Sequence, residues 1–322
     1  MIESLISISI PKNKVLSVIG RFEGCILGLA IGDALGMPCE GLAREKIRQI
    51  FGEVRDFLPS PYGDLRAGQW TDDTEQMIVL AESILETVYL DPQNFAERLK
   101  KWYLSGGRRV GPTTKAAVMN LLRGATWNTS GIFSETCGSA MRVAPIGLVY
   151  HFNFNLLESY AEISSRVTHK GPAAIAGAVA VAIAIACKLL DFSDEEMLEE
   201  VCKRAEKHDP LLSDKIRFAY EIRDKDLDYA VEKLGNSISA LEAVPMSFYC
   251  VFSSEGFESA VLKSANCGGD TDSISAITGA IKGAEGVEKI PKRFIENLED
   301  SEFLKDLADR LYELHERIVK II

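Results

Sequence analysis

No Cys-x-x-Cys pair occurs in the 322 residues, although seven cysteines are scattered along them, at Cys25, Cys39, Cys137, Cys187, Cys202, Cys250 and Cys267. That spacing excludes a zinc knuckle and a thioredoxin-type motif. Scattered cysteines in a chain this long read as small apolar core residues of a reducing cytoplasm, the expected location. Histidine is scarce, limited to His151, His169, His208 and His315. A zinc site draws on Cys and His, so any metal here is expected on oxygen ligands. There is no Gly-x-Ser-x-Gly elbow, no loop ending in Gly-Lys-Ser/Thr and no His-Glu-x-x-His. These absences remove the serine-hydrolase, P-loop and zincin routes. Basic residues are in deficit, 36 Lys and Arg against 47 Asp and Glu, for a net charge of −11. A general nucleic-acid binder needs a basic face, so no nucleic-acid partner is expected.

Long apolar runs are also rare. From Pro172 to Cys187 the chain is nearly all Ala, Val and Ile. A membrane span takes about 20 strongly apolar residues, and this run is shorter and poor in Leu and Phe. It reads as a central helix whose small side chains let neighbours approach closely. The protein therefore reads as soluble, with no membrane partner. Met1–Val15 lacks a basic start followed by a sustained apolar run, so no signal peptide is expected.

What is present is helical periodicity in a globular composition, 47% apolar and 26% charged. Phe303, Leu307, Leu311, Leu314, Ile318 and Ile321 recur at spacings of three and four, one stripe of a long helix. Met77, Ala81, Ile84 and Val88 make a second stripe, and Leu227, Val231 and Leu234 a third. Strand-like alternation is confined to Ile6–Ile10, which reads equally as a loose arm. Breaks are expected at Pro59–Gly68, Ser105–Gly111, Asn128–Gly131, Asp209–Ser213 and Ser253–Gly256, none of them a long linker. The expected fold is all-α, a single large domain over residues 1–322. Gly28, Gly32 and Gly36 are spaced four apart, which suits close contact along one helix face rather than a nucleotide fingerprint.

Two short acidic runs lie about 200 residues apart, Gln69-Trp-Thr-Asp-Asp-Thr-Glu75 and Asn266-Cys-Gly-Gly-Asp-Thr-Asp-Ser273, each leading into an apolar helix. Capping explains part of this, because Thr and Asp accept from free N–H groups at a helix start and acids suit its dipole. Asp72 and Glu75 even have the spacing of a capping box. One acceptor suffices for a cap, however, and each run supplies three or four. Adjacent carboxylates repel unless a cation sits between them. Carboxylates and hydroxyls without His or Cys suit Mg²⁺ or Mn²⁺. If the runs meet, they can hold two ions about 3.5–4 Å apart. Glu40 follows the helix stop at Pro38 and falls in a loop, where a surface role is the default.

With these motifs in order, the chain resembles the ADP-ribosylglycohydrolases, the family of the dinitrogenase-reductase-activating glycohydrolase. The likeness runs from about Phe22 to Gly286. It rests on Gly24-x-x-x-Gly-x-x-x-Gly-Asp-Ala-x-Gly36 with Glu40, Thr71-Asp-Asp-Thr74, Gly138-Ser-Ala-Met-Arg-Val-Ala-Pro145, Thr168-His169 and Gly268-Gly-Asp-Thr-Asp-Ser273. The resemblance implies a dozen or more helices around two Mg²⁺ or Mn²⁺ ions. It implies Thr71, Asp72, Asp73, Asp270, Asp272 and Ser273 as ligands, Ser273 standing where some relatives have Thr. It also implies an ADP-ribosylated protein or small ADP-ribose conjugate as substrate, cleaved at its glycosidic bond. Asp272 or a neighbouring ligand would activate water, and Glu40 would orient the substrate or move a proton. Gly138, Ser139, Ala140, Met141 and Arg142 are similar to a pyrophosphate-binding turn, and His169 to a histidine near the substrate. Arg142 would either meet phosphate or pair with an acid elsewhere. A two-metal phosphohydrolase on nucleotide sugars, and a catalytically silent ADP-ribose binder like the lens J crystallins of this family, stand as alternatives.

Overall fold

Four glycines on one face of the first helix decide how the molecule is assembled. The computed structural model describes residues 12–321, with side chains from residue 18 onward, so Ile6–Ile10 lies outside the described residues. Its first helix, Lys12–Gly36, is called here the glycine helix. Gly24, Gly28, Gly32 and Gly36 lie one turn apart on the same face. A methyl group added to them would fall 2.2 Å from the Gly283 carbonyl oxygen, 2.3 Å from that of Gly279, 1.9 Å from that of Ser275 and 2.1 Å from that of Thr271. The partners are themselves spaced by four on a second helix, Thr271–Gly283. The two therefore run antiparallel with their backbones in contact, which no side chain larger than hydrogen permits at these crossings. The expectation of close helix contact at these glycines is met. The partner was not expected.

Antiparallel packing fixes where the chemistry falls. The C-terminal end of the glycine helix lies against the N-terminal end of Thr271–Gly283, so the second acidic run arrives beside Gly36 and Glu40. The first acidic run is drawn in one turn earlier. Asp33, next to Gly32, accepts hydrogen bonds from both the backbone N–H and the hydroxyl of Thr71 and Thr74. These residues open the Asp72–Thr87 helix. One helix thus grips one acidic run by its glycines and the other by a single buried carboxylate.

Around this pair the described residues form seventeen α-helices and three short 3-10 turns, with two isolated β-bridges and no strand. Pro172–Leu189 is long and apolar enough to cross a membrane, yet 94% of it is buried within the fold. Its alanines let the Phe154–Arg166, Asp194–Ala205 and Ala144–Val149 helices pack around it. The stripe near the C-terminus is shifted from the expected one. The Ser301–Val319 helix buries Leu304, Leu307, Ala308, Leu311 and Leu314, whereas Phe303 and Ile321 are exposed. Spacing by three and four admits either neighbour at a helix start, and packing chose Leu304. Met77, Ala81 and Ile84 are buried as expected, but Val88 is a half-exposed residue with positive φ beyond the helix end. The break expected at Asn128–Gly131 is instead mostly a short helix, Trp127–Ser130, closed at its start by a Thr126–Thr129 capping box.

Candidate active site

Three helix N-termini and several loops line one small acidic cavity, about 120 Å³ in volume. The first turns of Asp72–Thr87, Pro112–Leu122 and Thr271–Gly283 contribute Asp72, Asp73, Pro112, Thr113, Thr114, Asp272 and Ser273. Glu40, Arg109, Asp270, Gly138, Met141 and His169 complete most of the wall. Positive helix ends converge here, an electrostatic setting suited to carboxylates and to anionic ligands. The sequence placed the acids of both runs in one site only on condition that the fold joined them. It does.

The two runs differ in how far capping explains them. Thr71 is the cap of the first helix, its hydroxyl near Asp73 N at 3.4 Å. The expected Asp72–Glu75 capping box does not form. Glu75 instead accepts from the indole of Trp102 and the backbone of Arg108, both at 2.8 Å. Asp270 occupies the cap position of the second helix but makes no side-chain capping bond. Its Oδ2 accepts instead from the Cys137 thiol at 2.9 Å. Asp73 Oδ1 and Asp272 Oδ1 are buried with no hydrogen-bond partner at all.

Crowded buried carboxylates resist ionisation. Burial pushes Asp33 and Asp270 up to about 6, although hydrogen bonds pull the other way. Asp72, Asp73 and Asp272 are held well above the usual carboxylate range, first by burial and then by neighbouring acids, among them Asp33, Glu40 and Asp270. Oxygen donors with two unsatisfied carboxylate atoms suit a hard divalent cation, which would replace the protons. Among the described residues, no three His, Cys, Asp or Glu side chains are already arranged as a metal cage. Five of the six ligand positions inferred from the resemblance line the cavity. Thr71 stands behind it, wholly buried, donating to Asp33 at 2.9 Å.

The substrate-contacting residues inferred from the resemblance divide as well. Gly138, Met141 and His169 line the cavity, but Ser139, Ala140 and Arg142 do not. Ser139 Oγ bonds the carbonyl of Ala174, and Ala140 packs against Gly177. Arg142 is fully buried, donating to Gln76 Oε1 at 2.6 Å and to Thr168 Oγ1 at 2.7 Å. Gln76 in turn donates to Asp72 Oδ2 at 2.7 Å. The Thr168 hydroxyl lies 2.7 Å from His169 Nδ1, and His169 Nε2 lies 3.0 Å from Thr136 Oγ1. Arg142 therefore braces Asp72 and His169 from behind and does not reach a phosphate. Burial lowers its pKa to about 9 and drives that of His169 well down, so the imidazole is neutral.

Four contributors escaped the reading of the sequence: Asp33, Gln76, Arg109 and Cys137. Asp33 carried a signal, the one charged residue in the otherwise apolar stretch from Gly24 to Gly36. Arg109 carried a weaker one, an arginine pair inside the glycine-rich break Ser105–Gly111. Gln76 and Cys137 carried none, since only tertiary contacts give them a role.

Comparisons with known proteins bear on the family and the fold. The profile of the ADP-ribosylglycohydrolase family matches residues 15–318. An uncharacterized protein of Archaeoglobus fulgidus is 68% identical over 302 residues, covering 94% of this chain and 99% of that one. The ADP-ribosylarginine hydrolase Tri1 of Serratia proteamaculans is 31% identical over 320 residues, covering 94% of this chain and 81% of that one. A solved structure described as an ADP-ribosylglycohydrolase-related protein complex superposes with a TM-score of 0.79 at 29% identity, covering 93% and 99% of the two chains.

Proposed function

The chain belongs to the ADP-ribosylglycohydrolase family, and we propose that it hydrolyses the glycosidic bond between ADP-ribose and a side chain or a small conjugate, releasing intact ADP-ribose. The observation that carries this reading is the cavity: five carboxylates, two of them with unpaired buried oxygens, around about 120 Å³. That volume suits a single pentose, whereas a site enclosing a drug-sized ligand runs to about 300–1,000 Å³. The distal ribose is the part held inside, with the rest of the conjugate lying across the mouth.

Asp72, Asp73, Asp270, Asp272 and Ser273, with Thr71 behind them, would hold two Mg²⁺ or Mn²⁺ ions. Such ions, when bound, fix ribose hydroxyls and lower the pKa of water. The protein's own part is electrostatic and positional. Glycosidic cleavage passes through an oxocarbenium-like state, and the surrounding carboxylates stabilise its positive charge. Asp272 is the assigned acceptor of the water proton. Asp72 is held by Gln76 and by Gly111 N, so it does not turn away as charge develops. His169, neutral and fixed at both nitrogens, stands against Gly138, where a methyl group would fall 2.9 Å from the ring. Glycine there lets the imidazole lie directly against the backbone of the turn.

The test is incubation with arginine-linked and serine-linked ADP-ribosyl peptides, with Mg²⁺, Mn²⁺ or chelator, and with Asp272→Asn alongside. Cation-dependent release of intact ADP-ribose supports the reading and identifies the linkage. AMP with ribose phosphate as products, or full activity in chelator, contradicts it. The expected location is the cytoplasm, consistent with seven free, buried cysteines.

A further inference from the structure

Arg109 is the one cationic side chain among the residues lining the cavity. A cation beside five carboxylates and a site for a diphosphate-bearing substrate suggests a phosphate ligand, but its bonding excludes that. A guanidinium has five N–H donors, and all five of Arg109 are engaged. Nε and Nη2 donate to Asp64 Oδ2 and Oδ1, each at 2.8 Å. Nη2 also reaches Ser60 Oγ at 2.7 Å, and Nη1 reaches the Met37 carbonyl at 3.2 Å and Glu40 Oε2 at 2.6 Å. No donor is left for substrate.

The backbone bears out a dedicated role. Arg109 has φ of +39°, a region that L residues with side chains rarely occupy. A residue held there is strained, and the strain persists only when its surroundings over-determine it. The preceding Arg108 binds the opposite side, donating to Glu299 and to the Trp70 carbonyl, with its guanidinium 4.5 Å above the Trp70 ring. The strained backbone sends consecutive arginines to opposite sides of the loop and aims Arg109 at Glu40. Glu40 itself lies beyond the 3-10 turn Met37–Cys39 in a half-exposed position. Its side chain makes no other hydrogen bond among the described residues.

We propose that Arg109 is a positioning residue for Glu40, holding its carboxylate in one orientation at the cavity rim by a fork anchored on Asp64 and Ser60. This role rests on the hydrolase reading above. Lysine replaces it only in part, because an ammonium keeps the charge but lacks the planar fork that spans Asp64 and Glu40 together. Misplacement of a reacting group by about 1 Å can cost about 10²-fold.

The test is a double-variant cycle on the full-length protein, measuring kcat, KM and melting temperature with whichever ADP-ribosyl peptide the wild type cleaves. Arg109→Ala is expected to lower kcat by about 10–100-fold with KM within about threefold. Arg109→Lys is expected to recover part of the loss. In a Glu40→Gln background, Arg109→Ala is expected to cost less than about threefold more, because its target is already lost. Arg109→Gln serves the same cycle if the alanine variant does not fold. Losses that multiply in the double variant, or an Arg109→Ala enzyme with wild-type kcat, overturn the role while leaving the hydrolase reading intact. A wild type that cleaves no conjugate overturns both.

Discussion

The two acidic helix starts look alike in sequence and differ in what holds them. The first is held mostly by the fold itself: Thr71 caps it, Asp33 receives its free N–H groups, and Gln76 and Gly111 hold Asp72, leaving Asp73 Oδ1 without a partner. The second is not. Asp270 leaves its cap position uncapped and takes a thiol as donor, and Asp272 keeps a buried oxygen without a partner. A cap is a local device of one residue and its own helix. A carboxylate set facing another across a cavity needs something in the cavity. The first run supplies the more firmly held wall, and unmet carboxylate oxygens face the cavity from both, at Asp73 and Asp272.

The comparison breaks most sharply at Asp272. Asp272→Asn is expected to reduce turnover by at least about 10²–10³-fold, the scale of losing a principal electrostatic contact in a reacting site. Circular dichroism should show the helices intact, because nothing in the fold leans on that side chain. A variant that retains full turnover removes Asp272 from the chemistry.

Stability separates the runs next. Asp33→Ala leaves the buried N–H and hydroxyl groups of Thr71 and Thr74 unmet and is expected to cost about 1–3 kcal/mol for each group left unsatisfied. Asp270→Asn removes a buried acid already raised to about 6, and is expected to leave the metal-free protein at least as stable as the wild type. Urea unfolding of both variants in chelator measures the contrast. Equal losses would mean that both acids are merely structural.

Gly32→Ala tests the joint between the runs. Its methyl group would lie 1.9 Å from the Ser275 carbonyl oxygen, so the helices must part. Overpacking of this kind costs about 1–3 kcal/mol, and cation affinity should fall with it because only the second run rides on that contact. Unchanged melting and unchanged affinity would refute the tight antiparallel pairing.

The smallest expected effect is on pH. Asp33, Asp72, Asp73, Asp270 and Asp272 all bind protons more tightly in the folded state than the about 3.9 of an unfolded aspartate. The unfolded chain therefore releases its protons first as pH rises. Stability from these groups is fully present below about pH 4 and declines as pH climbs through about 6 and beyond. Saturating Mn²⁺ replaces the protons, worth about 2.7 kcal/mol at a hundred times Kd. Its effect on melting should accordingly be larger at pH 8 than at pH 5. The opposite order would mean that the carboxylates are already ionised and compensated without a cation.

The acids were legible because three or four acceptors per run exceed what a cap uses, and the glycine spacing was legible because period four marks one helix face. The partner of that face was signalled only in part, by Gly279 and Gly283, since Ser275 and Thr271 do not advertise close packing as glycine does. The sequence left Arg142 open between phosphate and an acid for a physical reason. A basic residue after a small-residue turn fits phosphate by type, but its direction depends on Gln76 and Thr168, which sequence spacing does not locate. Arg109 stayed invisible because its partners come from two separate segments, Met37–Glu40 and Ser60–Asp64, that spacing along the chain does not bring to it.

The most direct test of a single site built from both runs is electron paramagnetic resonance of the protein titrated with Mn²⁺. Two ions about 3.5–4 Å apart are magnetically coupled. The account predicts two equivalents bound with a coupled spectrum, lost in both Asp72→Asn and Asp272→Asn. Isolated six-line signals from independent ions, or coupling that survives both substitutions, would contradict it.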